Sequence, residues 1–131
     1  MDSERYRRGW EVLRTLDEKQ SEKVLAALRE ISPDFARYVV EFPFGDIYSR
    51  PGLDLKTREL AAVAALTALG YAGPQLKVHI GYALNAGCSR EEVLEVIMQM
   101  AVYAGFPAAL NGLYAAKEVF QQSREAGPGQ K

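Results

Sequence analysis

His79, the single histidine of the chain, is the first residue whose type could do chemistry. It lies one position from Ile80, at the edge of an apolar stripe made by Leu76, Ile80, Ala83 and Leu84. An imidazole there either packs as a structural group or moves a proton near neutral pH, and spacing leaves both readings open. Glu59 is the one acidic residue of a segment that turns apolar directly after it. It reads as a first-turn carboxylate favoured by the helix dipole, or as one partly sunk in an apolar surround and set up for proton transfer. Arg50 and Arg58 flank the loop into that segment. Guanidinium forks beside a helix N-terminus suit a carboxylate ligand, with ordinary surface salt bridges as the alternative. Tyr48, Tyr71 and Tyr82 have hydroxyls for a pocket, or rings for a core edge or an interface. Cys88, next to Ser89 at a helix start, stands where a thiolate is favoured. It has no partner cysteine and no second histidine, so it reads as a small loop residue. One cysteine and one histidine exclude an internal disulfide, a CxxC thiol-disulfide enzyme and a four-ligand zinc site. Neither a metal nor a cofactor is expected.

The elements that must position these residues read as helices throughout. The first runs over Ser3–Leu16 and the second over about Ser21–Ile31, with Val24, Leu25 and Leu28 at helical spacing. Ser32-Pro33 is an N-cap followed by proline at the first helical position. Pro43 then kinks or ends the third helix, and Phe44–Ser49 follows as a further short turn. A fourth helix, Leu55–Leu69, is capped by Asp54 and stopped by Gly70; being apolar nearly all round after Glu59, it should be buried on several sides. A fifth opens at Gly73-Pro74 and ends at Gly87. Ser89 with Glu92 is a capping box for a sixth that ends near Gly105. The last starts at Pro107 and runs to about Arg124. No segment alternates with period two, so the expectation is an all-α fold, a single-domain bundle of about six to seven helices over residues 1–131 with a disordered tail from about residue 125.

Composition sets the broad class. A chain of 131 residues can bury a core without staples, and sixteen basic against seventeen acidic residues argue against a nucleic-acid partner. No apolar run reaches the ~18 residues of a membrane span, and the charged start Met1–Arg5 lacks a signal-peptide core. A soluble cytoplasmic protein is therefore expected. Alanine is abundant on the helices (Ala61, Ala62, Ala64, Ala65 and Ala68, then Ala101, Ala104, Ala108 and Ala109). Such residues permit close helix packing in one core, or leave faces with too little polarity to meet water and so favour a homo-oligomer.

Several runs then carry a resemblance. Phe44-Gly45-Asp46-Ile47-Tyr48-Ser49-Arg50-Pro51-Gly52-Leu53-Asp54 precedes Lys56-Thr57-Arg58 and the alanine-rich helix. Leu76 to His79 is followed by Ala83-Leu84-Asn85-Ala86-Gly87 and Glu92-Val93-Leu94-Glu95-Val96, and Tyr103-Ala104-Gly105-Phe106-Pro107-Ala108-Ala109-Leu110-Asn111 closes the pattern. With Arg5-Tyr6-Arg7-Arg8-Gly9, these runs resemble the carboxymuconolactone decarboxylase family, over roughly residues 4–122. The pattern departs from the family at Thr15–Gln20 and at Tyr71-Ala72-Gly73-Pro74. The resemblance implies an alkylhydroperoxidase D-like fold. Peroxidase members of that wider group carry a glutamate, a CxxC pair and a histidine; Glu59 and His79 stand where the first and last would be, with no cysteine between them.

The same resemblance implies an activity. It is loss of CO2 from a carboxylated γ-lactone, 4-carboxymuconolactone to 3-oxoadipate enol-lactone, in the protocatechuate branch of aromatic catabolism. No cofactor is implied, because the electrons left at the γ-carbon delocalise into the lactone carbonyl. His79 would deliver the proton with Glu59 behind it, and Arg50, Arg58 and Tyr48 would hold the substrate. A homo-oligomer, a hexamer, is implied as well. Two alternatives stand beside this reading: a related cofactor-free lyase or isomerase on another small lactone or oxo-acid, and a non-catalytic oligomeric binding module.

Overall fold

A computed structural model describes residues 2–125 of the chain. Six α-helices and one π-helical stretch make up the described residues: α1 (Glu4–Ile31), α2 (Pro33–Val39), the π-helix Val40–Tyr48, α3 (Leu55–Leu69), α4 (Gly73–Asn85), α5 (Arg90–Ala104) and α6 (Phe106–Glu125). There is no strand among them, and the fold is all-α as the sequence implies. Glu125 closes α6, and the rest of the tail expected to be disordered lies outside the described residues. None of the described helices is long and apolar enough to cross a membrane. The chain divides into two compact units, one reaching to Asp54 and the other starting at Leu55.

In the first unit the two helices expected before Ile31 are both present within α1, separated by a kink at Asp17, whose backbone is extended (φ −174°, ψ 97°). Its carboxylate then accepts from the Gln20 N–H at 3.0 Å and caps the second segment. Ser32 caps α2 by accepting from Phe35 N at 3.2 Å, with Pro33 following it. Pro43 does not end the helical path. It cannot donate to a regular i−4 ladder, and it sits within the π-helix, where the wider i−5 pattern runs on to Tyr48.

The π-helix packs on α1 backbone against backbone. A Cβ built on Gly9 would lie 2.1 Å from the Val40 carbonyl oxygen, and one on Gly45 would lie 2.3 Å from the Arg5 carbonyl oxygen. Polar pairs surround this crossing. Arg5 forks onto Asp46 through Nε at 3.0 Å and Nη2 at 2.7 Å. The guanidinium holds the Asp46 carboxyl below its usual range. That contribution is therefore present at neutral pH and lost as pH falls through the folded-state value. Ser3 caps α1 and donates to the buried Glu41, which Arg37 Nε also approaches at 3.5 Å.

The second unit is built on a core of Val63 from α3, Leu76, Ile80, Ala83 and Leu84 from α4, Val93 and Ile97 from α5, and Ala115, Ala116 and Phe120 from α6. Burying a large aliphatic side chain of this kind is worth about 1.5–3 kcal/mol relative to exposure. Only one face of α3 is fully buried: Glu59, Val63 and Thr67, at i, i+4 and i+8. Ala61, Ala65, Ala68 and Leu69 remain exposed, where burial on several sides was expected. The short alanine side chains keep the outer faces of the helix narrow without forcing a neighbour onto them.

Two junctions fix the helices around that face. At the end of α4 the Cys88 N–H reaches the Ala83 carbonyl at 2.9 Å and the Gly87 N–H reaches Leu84 at 3.1 Å. This is a Schellman motif, and it needs the positive φ of Gly87 (105°). Cys88 is buried as its apolar partner, so its place is a packing one. On α6, Gly112 faces Ile97 and Thr67, whose methyl carbons would both lie 2.9 Å from an added Cβ.

The Gly9 crossing generates a direct test. Gly9→Ala should destabilise the protein by about 1–3 kcal/mol in urea or thermal unfolding, because the nearest atoms are backbone and cannot step aside. Gly52→Ala, with no atom within 4 Å of the added carbon, should change stability by less than ~0.5 kcal/mol.

Candidate active site

The second unit brings Glu59 and His79 together. Glu59 is the fifth residue of α3, past the first turn in which the sequence reading placed it, and points the same way as Val63, into the core. His79 lies in the middle of α4, at the edge of the stripe formed by Leu76, Ile80 and Ala83. Packing of α3 on α4 places His79 Nδ1 2.7 Å from Glu59 Oε1. The Glu59 side chain is 0% exposed and that of His79 18%. The sequence left two readings of Glu59, and the sunken carboxylate is the one found.

The chemistry of the pair follows from its atoms. As a carboxylate Glu59 can only accept, which puts the shared proton on Nδ1 and leaves Nε2 to exchange protons with a reactant. Glu59 Oε2 is buried and has no hydrogen-bond partner among the described residues. A buried acceptor left unsatisfied costs roughly 1–3 kcal/mol, so a purely structural core gains little from a glutamate at this position. Thr67 Oγ1, two turns further along the same face of α3, is likewise buried without a partner. Among the described residues no three His, Cys, Asp or Glu side chains converge as metal ligands.

The other residues singled out in the sequence fall as follows. Arg58 precedes Glu59 on α3 and is partly buried. Tyr48 ends the π-helix, its ring packed on Phe44 at 4.9 Å between centroids, and Arg50 follows it on an exposed turn. These two belong to the first unit, Arg58 to the second. Tyr71 is exposed in the loop before α4. Tyr82 is buried, and its ring meets the His79 imidazole at 5.3 Å between centroids with the planes at 78°. The sequence left the Tyr82 hydroxyl and its ring as alternatives; a ring contact with His79 is found, and the i, i+3 spacing was its signal.

Fold and site together define a helical protein that holds a hydrogen-bonded glutamate–histidine pair between two helices. The family model of the carboxymuconolactone decarboxylase family matches residues 33–118, a span that holds Arg50, Arg58, Glu59, His79 and Tyr82. The chain is 36% identical over 121 residues to a 4-carboxymuconolactone decarboxylase of Acinetobacter baylyi, covering 92% of this chain and 90% of that one. It is 33% identical over 118 residues to an uncharacterised 15.0 kDa protein of Paracoccus denitrificans, covering 89% of this chain and 88% of that one. A nitrosuccinic acid decarboxylase of Metarhizium robertsii is 30% identical over 111 residues, 82% of this chain and 76% of that one. The chain belongs to the carboxymuconolactone decarboxylase family.

A buried pair with an orphaned oxygen has a stability signature. His79→Leu should destabilise the fold by a few kcal/mol, since it strands the whole Glu59 carboxylate in the core. Glu59→Leu combined with His79→Leu should recover most of that loss, because both polar partners are then replaced by apolar ones. Chemical denaturation of the single and double variants measures this; an additive result would mean the two side chains are not coupled.

Proposed function

We propose that this protein is a decarboxylase of a small carboxylated γ-lactone, converting 4-carboxymuconolactone to 3-oxoadipate enol-lactone within aromatic-compound catabolism. The observation that carries the reading is the 2.7 Å contact between a histidine nitrogen and a fully buried glutamate in a chain of this family. The similarity to the Acinetobacter baylyi decarboxylase supports the choice of substrate.

The reaction asks for one proton and one stabilised oxyanion. The bond from the γ-carbon to its carboxylate breaks and CO2 leaves. The electron pair passes through the ring double bond into the lactone carbonyl, giving a dienolate. The substrate is thus its own electron sink. His79 delivers its Nε2 proton to the ring carbon while Nδ1–H stays bonded to Glu59, which sets the direction of the transfer. A proton from solvent restores the pair. Arg58 binds a substrate carboxylate, and Arg50 and Tyr48, the other substrate-binding residues that the resemblance implies, belong to the first unit. An apolar surround such as Val63 and Ile80 provide near the pair would also favour expelling CO2 from a desolvated carboxylate.

A second reading has its own observation. The Metarhizium robertsii relative is named for nitrosuccinic acid, in which a nitro group can take the electrons that a lactone carbonyl takes above. The shared demand is an acceptor group conjugated with the carbon that loses CO2. A related lyase acting on another small acid of that kind would use His79 and Glu59 in the same way.

The same family reading includes a cytoplasmic homo-oligomer, with a hexamer as the assembly. What supports self-association is a stretch of α5 and α6 without a charged residue between Glu95 and Lys117. It exposes Val102 (76%) and Phe106 (75%) on either side of Gly105, with Leu110 and Tyr114 one and two turns further along α6. An apolar surface of this size with no like charges to repel its own copy suits a second copy of the chain.

Three outcomes test these statements. The purified protein should release CO2 from 4-carboxymuconolactone, and His79→Gln should lower kcat by about 10²–10⁴-fold while the fold persists. Arg50→Ala and Arg58→Ala should each weaken kcat/KM by roughly 1.5–3 kcal/mol, mainly through KM, if the guanidinium contacts are equal in ground and transition states. Phe106→Glu should reduce the mass seen by light scattering toward the 14.5 kDa of one chain; a wild-type protein already at that mass would overturn the oligomer. A protein inert toward lactones and nitro acids alike would leave the binding-module reading.

A further inference from the structure

We infer that the aromatic ridge on the exposed side of α2 and the π-helix is a subunit interface, where it meets the same ridge of a second copy running antiparallel about a twofold axis. Such a contact rests on the self-association proposed above and gives it a second surface.

The ridge follows from helical spacing. Ala36, Val40 and Phe44 turn inward and are buried. Phe35, Tyr38 and Phe42 follow one another about a turn apart on the opposite side, and they are 56%, 51% and 59% exposed. Ile31, 83% exposed, comes just before the Ser32 cap of α2. An aromatic side chain carries about 150–250 Å² of surface, so the three rings leave roughly 300 Å² open to water before Ile31 is added. That is already the size of the largest apolar patch on a typical monomer, the kind that marks an interaction site. Charge beside the ridge does not oppose association. Arg37 donates from Nη1 to Asp34 Oδ1 at 3.2 Å, and its guanidinium lies 5.0 Å from the centroid of the Tyr38 ring. The result is an apolar strip with a matched charge pair at its margin, as in an interface core with a polar rim.

Symmetry and spacing select the occupant. A patch that meets its own copy about a twofold axis is used up by one partner, and a head-to-tail contact uses two different patches. Any assembly larger than a dimer therefore needs two surfaces on each chain. The face on α5 and α6 is one and belongs to the second unit; the ridge, on the first unit, is the other. Within the ridge, Tyr38 stands three residues after Phe35 and four before Phe42, close to the centre. An antiparallel copy brings Tyr38 against Tyr38 and each Phe35 against the Phe42 of the other chain, so the strip is complementary to itself.

A thiol placed at the axis tests this. The one cysteine of the chain, Cys88, is buried, so a cysteine introduced on the ridge is the accessible one. Under mild oxidation Tyr38→Cys should form a covalent dimer, and it should still do so when combined with Phe106→Glu, because the two surfaces are separate. Phe35→Cys should not couple to itself, since antiparallel pairing sets the two copies of position 35 about 10 Å apart along the helix, beyond the ~7 Å between Cα atoms that a disulfide spans. It should couple to Phe42→Cys when the two variants are mixed. In light scattering Tyr38→Glu and Tyr38→Arg should each show a smaller mass than wild type with helicity unchanged, and their equal mixture should regain the wild-type mass. An oligomeric wild type whose mass Tyr38→Glu does not lower, with no cross-link in Tyr38→Cys, would overturn the ridge and leave self-association standing. Coupling of Phe35→Cys to itself, without coupling to Phe42→Cys, would overturn the antiparallel pairing. A wild-type protein already at the 14.5 kDa of one chain would overturn self-association and the ridge with it.

Discussion

The hydrogen bond between Glu59 and His79 is the constraint on which the second unit depends. A carboxylate withdrawn from water needs partners for its oxygens, and here it has one, from Nδ1 at 2.7 Å. Burial of that kind is tolerated only where the surrounding packing overrides it. The surrounding packing is Val63 on α3 and Ile80 and Ala83 on α4, all fully buried. A leucine at each of the two positions would suit that core better. In the proposed function the polar pair has a use there, since a proton donor works best where its orientation is fixed beforehand and water is scarce.

The rest of the unit can be understood as what keeps α3 and α4 in that relation. Gly112 lets α6 approach so closely that its neighbours are the Thr67 and Ile97 methyl groups, bringing a third helix against the inner face of α3. The Schellman motif at Gly87 turns the chain at the end of α4, and the Ser89–Glu92 capping box starts α5 immediately after it. Cys88 fills the bend between them. In the first unit the same device, glycine at a crossing, is used more severely: Gly9 and Gly45 bring α1 and the π-helix to backbone contact, with the Arg5–Asp46 fork alongside.

Within the family the reading also separates what is general from what is particular. Any substrate that loses CO2 into its own conjugated acceptor needs a positioned proton and a pair of carboxylate-binding groups. Glu59 and His79 are equipped for the first, whichever small acid is bound.

Much of the fold was legible from local signals. Ser32-Pro33, Gly70, Ser89 with Glu92, and Gly105 mark helix ends by chemistry that acts within a few residues, and the elements found begin and end beside them. Asp17 breaks the helical path between the helices read over Ser3–Leu16 and about Ser21–Ile31, since a side chain that caps its own successor is also a local device. Pro43 was misleading, because its missing N–H removes one donor from either ladder while its neighbours carry the wider pattern on to Tyr48. The site was legible only as a set of alternatives. Glu59 and His79 stand twenty positions apart, and a glutamate in a first helical turn has the same sequence signature whether it faces solvent or core. Which way it faces depends on the angle at which α3 meets α4, a property of packed side chains from four helices. The perpendicular contact of the Tyr82 and His79 rings belongs to the same class: their spacing is written in the sequence, but the 78° between the planes exists only once the core has closed around them.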